Sequence, residues 1–154
     1  MTNLVVWTQW DDLNVPAGVT LRSPKDFPLE SSDLSQINFY VPTYMGGKAA
    51  LEWAAKMPNL KVLQMPNAGY DDALAYVRPG ITLCNAAGVH DASTAELAVG
   101  LAIARLRGLD DFARAMPQGE WLHDTRDSLA DRRVVVIGAG NVAVAIRRRL
   151  EPFE

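Results

Sequence analysis

The stretch that most limits the fold is Val134-Val135-Val136-Ile137-Gly138-Ala139-Gly140-Asn141-Val142-Ala143-Val144-Ala145-Ile146: a β-branched run, a glycine turn and a segment of helical composition. Such a run suits a parallel strand buried on both faces. Gly138 and Gly140 permit a tight turn and close approach of the backbone to a pyrophosphate, and the helix that follows would aim free N–H groups at its oxygens. With Ala143 at the third position, the turn fits the G-x-G-x-x-G/A pattern in its strand-turn-helix context. Glycines also serve plain turns between strand and helix. The second strand of the pattern and its acidic residue, about 20 positions further on, would fall beyond Glu154. The expectation is therefore the first half of a βαβ unit.

Upstream, β-branched and aromatic runs alternate with helical periodicity. Strands are predicted over 4–10, 19–22, 37–41, 60–65 and 81–84, bounded by Pro16, Gly18, Pro42, Pro66, Pro79 and Gly80. Over 47–57, Ala50, Trp53, Ala54 and Met57 share one helical face while Lys48, Glu52 and Lys56 line the other. Residues 71–77 predict a short helix. This alternation predicts an α/β fold: a flavodoxin-like, parallel, five-stranded sheet with helices on both faces. The segment 93–108 leaves almost no polar face, so a helix there is expected to be buried nearly all round. Residues 110–116 continue as helix, and 123–131 form an arm that Trp121 is expected to pin.

With 49% hydrophobic and 21% charged residues the composition is that of a globular domain. A net charge of −3 lacks the clustered Lys and Arg of a nucleic-acid footprint, and Arg147-Arg148-Arg149 reads as a solvated last helical turn. No run approaches 18 uninterrupted apolar residues, so no membrane partner is expected. The start Met1-Thr2-Asn3 has no basic leader, and the single Cys84 permits no intramolecular disulfide; both predict a cytoplasmic, reducing setting.

Ligands of open α/β sheets bind at the carboxyl ends of strands, which singles out the loops 42–47, 67–71 and 85–88. Their glycines present backbone N–H groups to a small anion, and Asn67 and Asn85 would orient it; the same residues also make ordinary turns. His90 and His123 sit at no metal-ligand spacing, so a zinc site is rejected. Asp91 or Ser93 is expected to cap the long helix, with Glu96 completing a capping box after Ser93. Thr94, in the first turn, offers its hydroxyl to a ligand or to solvent.

The order of these pieces resembles the D-isomer-specific 2-hydroxyacid dehydrogenases, the family of phosphoglycerate, glycerate and formate dehydrogenases. The resemblance is carried by Leu60-Lys61-Val62-Leu63-Gln64-Met65-Pro66-Asn67-Ala68-Gly69-Tyr70-Asp71, by Thr82-Leu83-Cys84-Asn85-Ala86-Ala87-Gly88-Val89-His90, by Ser93-Thr94-Ala95-Glu96, and by the turn from Gly138 to Ala143. It implies a substrate lobe over 1–91, a helix and interdomain or dimerisation arm over 92–131, and the first βα unit of a Rossmann domain over 132–154.

The resemblance further implies binding of small 2-hydroxy or 2-oxo acids, with Ala68, Gly69 and Tyr70 near the substrate carboxylate, Tyr44 and Met45 lining the pocket and Asn85 at its edge. Gly138, Gly140, Asn141 and Val142 would touch the pyrophosphate of NAD or NADP, with Thr94 toward the nicotinamide. The family's catalytic arginine, acidic residue and histidine match no position in these residues. The expectation is thus a chain that binds no cofactor tightly and transfers no hydride. The alternative is a non-catalytic module that self-associates, as a homodimer formed through the 93–108 helix, the arm or a swapped C-terminal βα unit.

Overall fold

The computed structural model describes residues 4–153; Met1, Thr2 and Asn3, read above as carrying no basic leader, lie outside the described residues, as does Glu154. The chain divides into two compact units, Met1–Ala87 and Gly88–Glu154.

The first unit is built on β1 (Leu4–Trp7), β2 (Val19–Arg22), β3 (Phe39–Tyr40), β4 (Val62–Gln64) and β5 (Thr82–Cys84). They form one sheet in the order β2-β1-β3-β4-β5, every pair parallel. The register aligns Trp7 with Tyr40, Tyr40 with Leu63 and Leu63 with Leu83. Because side chains alternate along a strand, these residues share one face. Trp7, Tyr40 and Leu63 are buried there with Ile37, Leu51, Ala54 and Met57. The alternate residues Val6, Leu21, Phe39 and Val62 are only half-buried. The strands are shorter than their β-branched runs, since ladders end where a neighbour turns away: Ser23 N–H and Oγ–H both donate to the Asp26 carboxylate just after β2.

Helix α1 (Gly47–Ala55) buries Ala50 and Ala54, as its periodicity predicts, and Leu51 beside them, while Trp53 is half-buried. Lys48, Glu52 and Lys56 are exposed, and the Lys56 ammonium lies 4.1 Å from the centre of the Trp53 ring. At the carboxyl end of α1, the Arg78 guanidinium donates to the carbonyls of Ala54 (3.1 Å) and Met57. A cation is favoured there by the helix dipole. Residues Asp71–Tyr76 form a 3₁₀ helix rather than an α-helix.

Two hydrogen bonds tie the indole and phenol of the core to the backbone. Trp7 Nε1–H donates to the Phe27 carbonyl at 2.9 Å, and Tyr40 O–H donates to the Ala50 carbonyl at 2.7 Å. The two rings lie 5.4 Å apart, tilted by 49°. A buried polar tip without a partner would cost about 1–3 kcal/mol, and both tips here are satisfied.

The second unit holds α2 (Asp91–Arg107), α3 (Leu109–Ala115) and α4 (Asn141–Leu150), with α2 packed on α4. Four expectations change here. First, α2 is not buried all round: Ala95 and Val99 are buried, whereas Leu97 and Leu101 are exposed, because α4 packs along one side of it. Second, His90 occupies the N-cap position with no side-chain cap. The helix starts at Asp91, which puts Ser93 inside the first turn, where its Oγ–H donates back to the His90 carbonyl; no capping box with Glu96 forms.

Third, the arm is held by Arg126 rather than Trp121. Arg126 pairs with Asp111 at 3.2 Å and lies over the Phe112 ring, while Trp121 is 86% exposed. Fourth, Val134-Val135-Val136-Ile137 joins no sheet, and Val135 and Ile137 are 85% and 97% exposed. Strand propensity needs a neighbouring ladder, and the described residues of this unit include none.

The Tyr40 phenol generates a test. Burial, reinforced by the negative charge of Glu30, raises its pKa well above the ordinary range. The folded chain keeps the proton where the unfolded chain loses it, at about pH 10. That stabilisation is complete below pH 10 and is lost as the pH rises beyond it. Urea denaturation should show Tyr40→Phe destabilised by about 1 kcal/mol at pH 7, with a shallower loss of stability than wild type above pH 10.

Candidate functional site

The parallel sheet brings the carboxyl ends of β3 and β4 to one edge, where the loops 42–47 and 66–72 line a cavity of about 380 Å³. Its walls include Pro42, Thr43, Met45, Gly46 and Gly47 from one loop, Asn67, Gly69 and Tyr70 from the other, and the buried Leu51 and Met65 behind them. Asp71 and Asp72 complete the lining.

The first loop is shaped by tight backbone geometry. Gly46 N–H donates to the Thr43 carbonyl at 2.9 Å, and Tyr44 N–H donates to Gln9 Oε1 at 3.1 Å. A Cβ on Gly46 would sit 2.7 Å from the Ala50 Cβ and 2.9 Å from the Thr43 carbonyl oxygen, so only glycine fits. Gly47 has φ of 58° and Met45 of 60°. For methionine this left-handed conformation costs about 1–2 kcal/mol. The amino end of α1, which has no side-chain cap, opens beside this loop.

The second loop is braced from β5. Asn85 Nδ2–H donates to the Ala68 carbonyl at 2.8 Å, and Ala86 N–H donates to the Asn67 carbonyl at 3.0 Å. Asn85 is therefore a brace behind the loop, and the residues lining the cavity do not include it.

Of the residues proposed from sequence, Met45, Gly69 and Tyr70 line the cavity together with Asn67. Ala68 lies in the braced turn between them, and Tyr44 stands beside Met45 with its ring partly exposed. Asp71 closes the loop singled out from sequence, whereas Leu51, Met65 and Asp72 lie outside the loops 42–47 and 67–71. The helical period of 47–57 put Leu51 one position off the expected apolar face, and Met65 is the last residue of its β-branched run. Neither His90 nor His123 lines the cavity, and among the described residues no three His, Cys, Asp or Glu side chains cluster as a metal site.

The glycine turn lies in the second unit and is described by itself. Gly138 has φ of 114°, which excludes side-chain-bearing residues, and Gly140 is the N-cap of α4 with no side-chain cap. A Cβ on either glycine would meet nothing within 4 Å, leaving open space before the amino end of a 10-residue helix. That space and those N–H groups suit a pyrophosphate. Asn141 and Val142 form the first turn of α4, while Thr94 is exposed on the first turn of α2. Among the described residues no helix is long and apolar enough to cross a membrane.

No family model matches the chain. Over 108 residues, 66% of its length, it is 30% identical to a glyoxylate/hydroxypyruvate reductase of Arabidopsis thaliana, of which it covers 33%. The solved structure of a D-isomer-specific 2-hydroxyacid dehydrogenase family protein from Aeromonas salmonicida matches 99% of this chain with 51% of its own, at a TM-score of 0.79 and 16% identity. D-lactate dehydrogenase from Aquifex aeolicus, complexed with NAD and lactic acid, matches 97% of this chain with 48% of its own, at 0.73 and 19%. The chain thus spans about a third of the length of the curated reductase and about half that of the solved structures. In sequence the chain is thus similar to a glyoxylate/hydroxypyruvate reductase, and it shares its fold with solved D-isomer-specific 2-hydroxyacid dehydrogenases.

Proposed function

We propose that this chain supplies the substrate-acid site, and the pyrophosphate-binding turn, of an NAD(P)-dependent reductase of small 2-oxo acids working in the cytoplasm. The observation that carries the reading is the cavity at the carboxyl ends of β3 and β4, where two glycine-containing loops meet. In this reading the backbone at Ala68, Gly69 and Tyr70 receives the substrate carboxylate, Asn85 fixes that loop, and Tyr44 and Met45 border the rest of the acid. Gly138, Gly140, Asn141 and Val142 hold the pyrophosphate of NAD or NADP, with Thr94 toward the nicotinamide. The nicotinamide, when bound, supplies or accepts the hydride.

Reduction of a 2-oxo acid also needs a proton donor for the new hydroxyl and a cation to polarise the carbonyl oxygen. The cavity lining contains no His, Lys or Arg. These 154 residues are accordingly proposed to bind the acid without turning it over. Calorimetry with hydroxypyruvate should show binding that Asn85→Ala weakens about fivefold, while NADH is not oxidised in the presence of glyoxylate, hydroxypyruvate or phenylpyruvate. NADH oxidation abolished by Asn85→Ala would refute the claim of inactivity.

A second reading, self-association as a homodimer, is favoured by the exposure of Leu97 and Leu101 on α2 and of Val135 and Ile137 after the arm. Exposed apolar stripes of this kind mark interaction surfaces. Sedimentation equilibrium should give a dimer that Leu97→Glu with Leu101→Glu converts to monomer; a wild-type monomer at all concentrations would count against it.

A further inference from the structure

We infer that the cavity selects 2-oxo acids with a bulky, uncharged, apolar side chain and rejects phosphorylated and dicarboxylic ones, with Met45 as the residue that sets the preference. The inference rests on the reading of the cavity as a 2-oxo acid site and narrows it.

The size and chemistry of the walls carry the first half. A volume of about 380 Å³ far exceeds what glyoxylate, which has no side chain, would fill. Leu51 and Met65 are buried in the lining, Pro42 and Pro66 add apolar wall, and the exposed Met45 lies at the mouth. An acid without a side chain leaves these surfaces wet, whereas a branched or aromatic group removes them from water. Two thioethers in one lining add a pliable surface with favourable sulfur–aromatic contacts.

Charge carries the second half. The lining offers no Lys, Arg or His to a second anionic group, and it presents the carboxyl groups of Asp71 and Asp72. The backbone of one loop serves one carboxylate; a phosphate or second carboxylate would meet like charge with no counter-ion. Asp71 and Asp72 are exposed, so this repulsion is screened by salt and strongest at low ionic strength.

Met45 links the two. It is 84% exposed yet held at φ of 60°, between a loop and two glycines, where glycine would sit without strain. A bulky side chain kept in a strained backbone at a cavity mouth points to a task for that side chain. Covering the apolar group of the bound acid is that task.

The test titrates the full chain, by calorimetry, with phenylpyruvate, 4-methyl-2-oxopentanoate, glyoxylate, 3-phosphohydroxypyruvate and 2-oxoglutarate. The first two should bind at least tenfold more tightly than the others, and the gap to the two dianionic acids should narrow as salt is raised. Met45→Gly should weaken phenylpyruvate about fivefold, leave glyoxylate unchanged and leave the Tm no lower. Asp71→Asn with Asp72→Asn should strengthen 3-phosphohydroxypyruvate severalfold. Glyoxylate or either dianionic acid binding as tightly as phenylpyruvate overturns the inference alone, as does Met45→Gly weakening glyoxylate and phenylpyruvate equally. Absence of binding by every acid overturns both the inference and the functional reading beneath it.

Discussion

The candidate site depends on one arrangement: Tyr40, in the middle of the parallel sheet, with its ring against Trp7 and its hydroxyl on the Ala50 carbonyl. The sheet sets where β3 ends; the hydroxyl sets where α1 begins relative to it. Burying side chains of the size of Tyr40, Ile37, Met57 and Leu63 stabilises by about 1.5–3 kcal/mol each, but that attraction is non-directional. The 2.7 Å hydrogen bond is directional and fixes the helix's rotation and height over the strands. The loop between β3 and α1, with its tight Thr43–Gly46 turn, inherits its shape from both.

The two ends of α1 are treated oppositely. Its carboxyl end is occupied by Arg78, which reaches back to the carbonyls of Ala54 and Met57. Its amino end has no side-chain cap and opens beside the cavity. A helix with one end neutralised and the other left open directs the unneutralised end of its dipole at whatever enters there. That polarity suits a single carboxylate and agrees with the backbone-built character of the surrounding loops.

Much of the first unit is legible in the sequence because its signals are local. Proline and glycine bound β-branched runs, and α1 carries an apolar period, so the positions of strands and helix follow from short windows. What is not legible depends on distant partners. Arg78 reads as part of a turn, and its grip on α1 needs a side chain spanning 21 to 24 positions. Arg126 reads as one charge in a polar arm, while Trp121 reads as the anchor; reach and charge decide between them only once Asp111 is in place. Val134 to Ile137 has the composition of a strand, and composition cannot supply the neighbouring ladder. At the site, loop positions are legible from the strand ends, but the role of Asn85 is not: sequence shows an amide, and only the fold shows that it faces the Ala68 carbonyl.

Gly46 carries a consequence for how such a site changes over generations. With no space for even one methyl group against Ala50 and Thr43, it is closed to substitution. Met45 beside it faces open space, and glycine or asparagine would satisfy its backbone as well as methionine does. The mouth of the cavity is therefore built from a frozen hinge next to a freely exchangeable side chain. Drift in ligand preference can pass through position 45 without disturbing the packing beneath it.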